Sequence, residues 1–517
     1  MFFGCLNAKR LGIIGVAAVI VIVTVVLCVV LIPQSKKNNV TPPTPQQFPT
    51  TFKFGSASSA YQIEGAYNVD GKGENVWDVM TRDYPERILD GSNGNDAANS
   101  YEFYEEDVKA LVEAKMQFYR FSISWSRILP TGDISSANEL GLQYYDNLIN
   151  ALIKNKIEPM ITMYHWDMPE KLQQLGGMPN PIIVDYFEQY AKLLFERYAD
   201  RVKLWNTFNE PIIFCEYGHG NLVHAPLVNS PGIGDYLCGH HVLLANARVY
   251  RMYHNFYNAD KTGKIGIVLN SPYTWPLDAS NEADVAAADQ SMQFWLGWFA
   301  HPIFSSTGGY PPVMTNVVNN NSIAESRTWS RLPEFTADEI VYVKGTSDFL
   351  GLNYYTSHYA TPATDASTRW PNPSYYKDVN SILSQNQTWP VAKSSWLRSA
   401  PDGLRALLNW IKNQYSNPEV FITENGWSDS GELEDEGRIE YLRGHLQAVL
   451  DAVLRDRCNV VGHTTWSIID NFEWTAGYTE RFGLFHIDFT SPNKTRTAKS
   501  SVAFLRSIIQ TRMMPTD

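Results

Sequence analysis

Two glutamates in this chain stand where acids are uncommon. Glu424 lies in "FITENGW", directly after the apolar run Val420, Phe421, Ile422. Glu210 lies in "TFNEP", after the run around Leu204 and Trp205. A carboxyl at the end of a buried strand is either exposed or held in a pocket. If the two converge, they form a carboxylate pair. Carboxyls about 5–5.5 Å apart suit displacement at an anomeric carbon with retained configuration. One attacks as nucleophile; the other protonates the leaving oxygen and then activates water. The proton donor needs a raised pKa, often about 6–7, and a neighbouring like charge supplies part of the shift. Arg120, in "FYRFSISW", is the cation placed to keep one of the pair ionised, and we assign it to Glu424.

Convergence requires a fold that gathers strand ends. After residue 50, eight short apolar or β-branched runs end in polar or aromatic residues. They are "FKFGSASSAYQIEG", "FYRFSISW", "IEPMITMYHWD", "VKLWNTFNEP", "KIGIVLN", "DFLGLNYYT", "EVFITENG" and "NVVGHTTWSIIDNFEW". Amphipathic stretches lie between most of them: Glu102 to Lys115, Gly141 to Asn155, Val184 to Ala199, Gly403 to Tyr415 and Gly437 to Asp456. Alternating β and α units predict a parallel sheet, and eight of them predict a (β/α)8 TIM barrel with long loop insertions. A doubly wound open sheet is the alternative, weakened by the lack of a glycine-rich phosphate turn. In a barrel the chemistry sits at the C-terminal strand ends. The predicted ring is Gln62, Arg120, His165, Trp166, Asn209, Glu210, Asn353, Tyr355, Glu424, Trp466, Glu473 and Trp474. His165 and Trp166, on one rim, are expected to contact a sugar hydroxyl.

The 517 residues are 44% hydrophobic and 19% charged, enough for a large core. A net charge of −12 without basic clusters argues against nucleic acid. No His/Cys cluster has metal-ligand spacing, and no G-x-S-x-G elbow supports a serine nucleophile. We expect no metal and no cofactor.

Residues 11–33 form a charge-free apolar run behind Lys9 and Arg10. A bilayer-spanning helix takes about 20 apolar residues. The reading is residues 1–10 as a short cytoplasmic tail, 11–33 as a transmembrane signal-anchor contacting the bilayer, 34–49 as a polar, proline-rich linker, and 50–517 as the barrel, lumenal or extracellular. Secretion after signal cleavage is the alternative. Cys5 and Cys28 belong to the anchor region, Cys215 and Cys238 could pair, and Cys458 reads as buried. Asn-x-Ser/Thr triplets occur at Asn39, Asn320, Asn386 and Asn493.

The motifs "FKFGSASSAYQIEGA", "TFNEP", "GLNYYT", "ITENG" and "WSIIDNFEW", in that order, resemble glycoside hydrolase family 1, the β-glucosidase family. The resemblance runs from about Thr51 to Ile509. It implies a cofactor-free retaining β-glycosidase, with Glu210 as acid/base and Glu424 as nucleophile. It further implies that Gln62, His165, Asn209 and Glu473 hold the sugar, that Trp466 stacks on it and that Trp474 contacts a hydroxyl. Tyr355 and Arg120 would flank the nucleophile, and Asn353 would support the acid/base. Phospho-sugar members usually carry Ser and Lys near the Glu473–Trp474 position, so an unphosphorylated hexose is expected here. Plant-type thioglucosidases replace the acid/base by Gln, whereas animal-type ones keep both acids. O-glucoside cleavage therefore leads, with thioglucosidase as the alternative. A tethered, non-catalytic sugar-binding protein is disfavoured because both acids are present.

Overall fold

The computed structural model describes residues 47–365 and 369–515. The signal-anchor reading of residues 11–33 lies outside the described residues. Among those described, no helix is long and apolar enough to cross a membrane.

The eight runs form eight parallel strands closed into one barrel: β1 (Lys53–Ala57), β2 (Phe118–Ser122), β3 (Glu158–Tyr164), β4 (Leu204–Asn209), β5 (Lys264–Asn270), β6 (Leu350–Asn353), β7 (Val420–Asn425) and β8 (Val460–Trp466). They pair in chain order, and β8 closes on β1 with Lys53 opposite Gly462 and Ala57 opposite Trp466. Five helices match the amphipathic stretches: Ser100–Glu113, Glu139–Lys154, Ile183–Tyr198, Pro401–Gln414 and Glu436–Leu454. On the first of them Val108 and Leu111 are buried and Val112 is exposed.

Strand alternation separates two cores. On β2, Tyr119 and Phe121 face the helices, while Phe118 points into the barrel. Phe118, Met160, Leu204, Phe349 and Phe421 plug the N-terminal end of the barrel. Above this plug the interior turns polar, with Arg120 donating to Thr162 Oγ1 at 3.0 Å and Asn206 to the same oxygen at 3.4 Å. The closed N-terminal end and polar C-terminal end leave one face for a site.

Several predicted boundaries need correction. Phe48, read as linker, is buried against Phe52 and Phe54, and its N–H bonds Arg512 O at 2.8 Å. Glu473 and Trp474 are not at a strand end, because β8 stops at Trp466 and Trp474–Ala476 is a short 3-10 turn on the loop beyond. Gln62 likewise sits on a helical turn, Ala60–Ile63. The long insertions carry structure of their own. Strands Tyr273–Pro276, Ser357–Pro362 and Ser381–Ser384 form a separate three-stranded sheet, and Gly234–Met252 is a largely buried helix.

Candidate active site

Strict alternation would turn Phe208 inward on β4. Instead Phe208 packs on Phe187 of the neighbouring helix, with ring centroids 4.2 Å apart, and Asn209 points in. The β4–β5 register shifts between Asn206 and Asn209. On β7, Thr423 and Glu424 both reach the interior, and the register with β6 shifts between Ile422 and Glu424. A bulge adds a residue and re-aims the next side chain. Both acid-bearing strands therefore break their pleat where the acids begin. Glu210 follows with φ +50°, and Trp166 (+76°) and Trp474 (+55°) are left-handed too. Non-glycine residues in this region cost about 1–3 kcal/mol and persist where packing holds them. Gly426 has no room for a side chain, since a Cβ there would lie 2.1 Å from Trp466 O.

One hydrogen-bond chain joins the two acids. Arg120 Nη1 donates to Glu424 Oε1 at 2.6 Å, and Arg120 Nη2 to Asn209 Oδ1 at 2.7 Å. Asn353 Nδ2 donates to Asn209 Oδ1 at 3.1 Å and to Glu210 Oε1 at 2.7 Å. The second oxygen of Glu424 accepts Tyr355 OH at 2.7 Å. Arg120 and both glutamates are buried.

The acids have different partners and so different protonation. Burial pushes the Glu210 carboxyl up to about 8, and the nearby Glu424 adds to this. Burial also raises Glu424, but the Arg120 charge and the donors on its oxygens pull it back. Arg120 and Tyr355 thus favour the charged form on Glu424, whereas burial beside Glu424 favours the neutral form on Glu210. Asn353 occupies Glu210 Oε1 as a donor, which leaves the acid proton to Oε2.

The rest of the ring packs around this chain. Asn209 Oδ1 accepts twice, so its Nδ2 must face His165 Nε2, 3.2 Å away. His165 is held neutral by burial and by Arg120. Its Nε2 accepts, so its proton is on Nδ1, a buried donor with no partner among the described residues. His165 stacks at 5.8 Å on Trp466 and at 6.0 Å on Trp474, and Trp166 lies 4.5 Å from Trp474. Gln62 Nε2 clasps the loop after β8 through Asn471 Oδ1 (2.8 Å) and Phe472 O (2.9 Å), and lies 3.4 Å from Glu473 Oε2. The Phe472 N–H returns a bond to Gln62 O at 3.0 Å, which is how Glu473 reaches the ring. Glu473 is raised by burial, then by Glu480, Glu424 and Glu210. All twelve predicted residues thus belong to one connected cluster.

Sequence reasoning missed Thr162 and Thr423, which brace Arg120 through a side chain and a carbonyl, and Trp396. Trp396 is half exposed and edge-on to Tyr355 at 5.8 Å. A tryptophan in a polar loop, shortly after Trp389, was its only signal. Cys215 and Cys238 are joined by a disulfide with Cα atoms 5.5 Å apart; Cys458 is free and buried. Among the described residues no group of His, Cys, Asp and Glu could hold a metal.

The sequence profile described as Glycosyl hydrolase family 1 matches residues 44–514. The chain is 45% identical over 466 residues to Myrosinase 1 of Brevicoryne brassicae, covering 90% of this chain and 99% of that one. It is 40% identical over 467 residues to the human Lactase-like protein, covering 89% of this chain and 82% of that one. Among solved structures, a rice Os3BGlu6 β-glucosidase superposes with a TM-score of 0.83 at 35% identity, covering 91% of this chain and 99% of that one.

Proposed function

Because the chain belongs to glycosyl hydrolase family 1, we propose that it is a retaining β-glycosidase acting on unphosphorylated β-D-glucosides, with Glu424 as nucleophile and Glu210 as acid/base. The observation that carries this reading is the asymmetry of the pair: Arg120 and Tyr355 both donate to Glu424, and neither donates to Glu210. A carboxylate held by a cation suits attack, and a buried carboxyl raised to about 8 suits proton donation.

In the first step Glu424 bonds to the anomeric carbon as the glycosidic C–O bond breaks, and the Glu210 proton goes to the leaving oxygen. Esterification removes the charge on Glu424, and with it one of the causes that raise Glu210. Glu210 is then the better base. In the second step it takes a proton from water, the water oxygen bonds to the anomeric carbon, and Glu424 leaves. Gln62, Glu473 and the free Nδ1 donor of His165 would hold the sugar hydroxyls. Trp466 would stack beneath the ring, and Trp396 would face the aglycone.

Stereochemistry separates the roles. Glu424→Gly should lose all hydrolysis, and added azide should restore cleavage and yield the α-glycosyl azide. Glu210→Gln should cripple substrates with poor leaving groups, spare only the first step for activated ones, and then give the β-azide with added azide. Exchanged stereochemistry would exchange the roles.

A second reading, thioglucosidase, is favoured by the 45% identity to Myrosinase 1 over 90% of the chain. A panel of aryl glucosides, cellobiose and glucosinolates decides between them. The raised proton donor favours O-glucosides, because a thiolate leaves with less help from an acid. We also retain the tether: residues 11–33 would anchor the barrel on the lumenal or outer face. Retention in the membrane pellet after an alkaline carbonate wash supports it, and a mature N-terminus beyond Pro33 overturns it.

A further inference from the structure

The three Asn-x-Ser/Thr triplets within the described residues are not equivalent. Asn320 lies on helix Pro312–Ala324, where the Ser322 hydroxyl is buried, donates to Val318 O at 2.7 Å and accepts from the Arg331 N–H at 3.0 Å. Asn493 is exposed, but its turn is closed by Ser491. At Asn386 the triplet closes on itself. The Thr388 N–H and hydroxyl both donate to Asn386 Oδ1, at 3.0 and 2.8 Å, and the Trp389 N–H donates to Asn386 O at 3.1 Å. These bonds span two or three residues, so they can form in a nascent chain before the barrel exists. Asn386 is partly exposed, with Gln387 and Thr388 exposed beside it. Among the described residues its Nδ2 makes no hydrogen bond. The Cys215–Cys238 disulfide independently points to an oxidising compartment, where such triplets meet the glycosylation machinery.

The turn is tied to the segment that carries Tyr355 and Trp396. Gln385 Nε2 donates to Thr356 Oγ1 and to Trp396 O, each at 2.9 Å. Arg398 donates to Gln387 Oε1 and Trp389 O, also at 2.9 Å. Thr356 follows Tyr355, whose hydroxyl is on Glu424, and Trp396 packs on the Tyr355 ring. A group attached at Asn386 stands on the same loop as the proposed aglycone wall.

We propose that Asn386 is an N-glycosylation site whose glycan stands at the rim and limits the bulk of the aglycone. The co-substrate is an oligosaccharyl pyrophosphoryl lipid. The Asn386 Nδ2–C1 bond forms, the C1–O bond to pyrophosphate breaks, the amide gives up one proton, and the lipid pyrophosphate leaves. The site stands apart from the catalytic reading; only the rim effect rests on it.

The test uses the full chain from a eukaryotic secretory host. Peptide-N-glycosidase treatment in heavy-oxygen water should convert Asn386 to labelled Asp in most molecules. An unmodified Asn386 peptide overturns the site. Asn386→Gln and Thr388→Ala each destroy the triplet by a different change. Both should raise kcat/KM on an oligosaccharide-sized aglycone by about 3-fold or more and leave a small aryl glucoside within about 2-fold. Equal rates on the bulky substrate, with the glycan shown present on the parent, overturn the rim role. Failure of the parent to cleave the aryl glucoside sinks the glycosidase reading and leaves the modification result standing.

Discussion

Arg120→Gln should move the acidic limb of the pH–rate profile upward. Arg120 Nη1 lies 2.6 Å from Glu424 Oε1, and both groups are buried. Unit charges about 4 Å apart interact by about 4 kcal/mol at an effective dielectric of about 20. A cation beside a carboxylate lowers its pKa by about 1–3 units. The sign follows from the burial term: with the guanidinium gone, desolvation is no longer offset and Glu424 rises. The nucleophile must be ionised, so kcat/KM at a pH below the shifted limb should fall by about 10- to 1,000-fold and recover as pH increases. The assay is kcat/KM for an activated aryl glucoside across pH. Arg120→Lys keeps the charge and loses the fork to Asn209, so it should retain most of the limb position while lowering the plateau. A uniform fall in Arg120→Gln with an unmoved limb would refute the electrostatic role. Loss of folding in that variant is checked by its melting curve, and the lysine variant then carries the test.

Other consequences follow from buried groups. Glu473→Ala should lower kcat/KM on glucosides by about 2 kcal/mol, because a site built for hydroxyls loses a partner; a near-neutral effect would show that Glu473 does not hold the sugar. The buried Asp167 carboxyl is pushed up to about 8 by burial and by Glu64. The folded state therefore keeps a proton that the unfolded chain has lost, and stability falls by about 1.4 kcal/mol per pH unit between the two pKa values. Asp167→Asn cannot titrate, so its melting temperature should gain on the parent as pH rises from 5 to 8; a constant difference refutes this. Lys499, fully buried, bonds Asp429 and Asp470, each at 3.1 Å. Lys499→Met should cost about 3–5 kcal/mol in denaturant unfolding, since it leaves the buried Asp470 carboxylate without its lysine, while Asp429 keeps Arg438 at 2.6 Å.

The strands were legible because a parallel sheet covered on both faces needs near-continuous apolar runs. Five helices were legible because each buries one stripe. Gly234–Met252 was not, because it is buried on most of its faces and its polar residues Asp235, His240, His241 and Asn246 break any apolar stripe. The accessory sheet escaped because its strands are four to six residues long and carry Ser, Thr and Pro. The ring residues were legible by type, but the reach of Glu473 and Trp474 was not. They lie on the loop beyond β8, and the reciprocal clasp of Gln62 with Phe472 brings them back.

The least legible feature is the one the site depends on most. A regular strand offers its interior one side chain in two. By that count Asn206 and Phe208 face the barrel, and Asn209 faces the helices. Arg120 would then have no amide to bridge it to Asn353, and the two glutamates would lose their link. The register shift on β4 removes this conflict, and the shift on β7 does the same for Thr423 and Glu424. The first shift is anchored from outside the ring, Phe208 by Phe187, and the turn after Glu424 is fixed by the close approach of Gly426 to Trp466 O. Alternation read from the sequence therefore places the strands correctly and misplaces their last residues. The error falls at the strand ends because the barrel core rewards a regular pleat, whereas a ring that must hold a carboxylate, its cation and a neutral acid together requires a broken one.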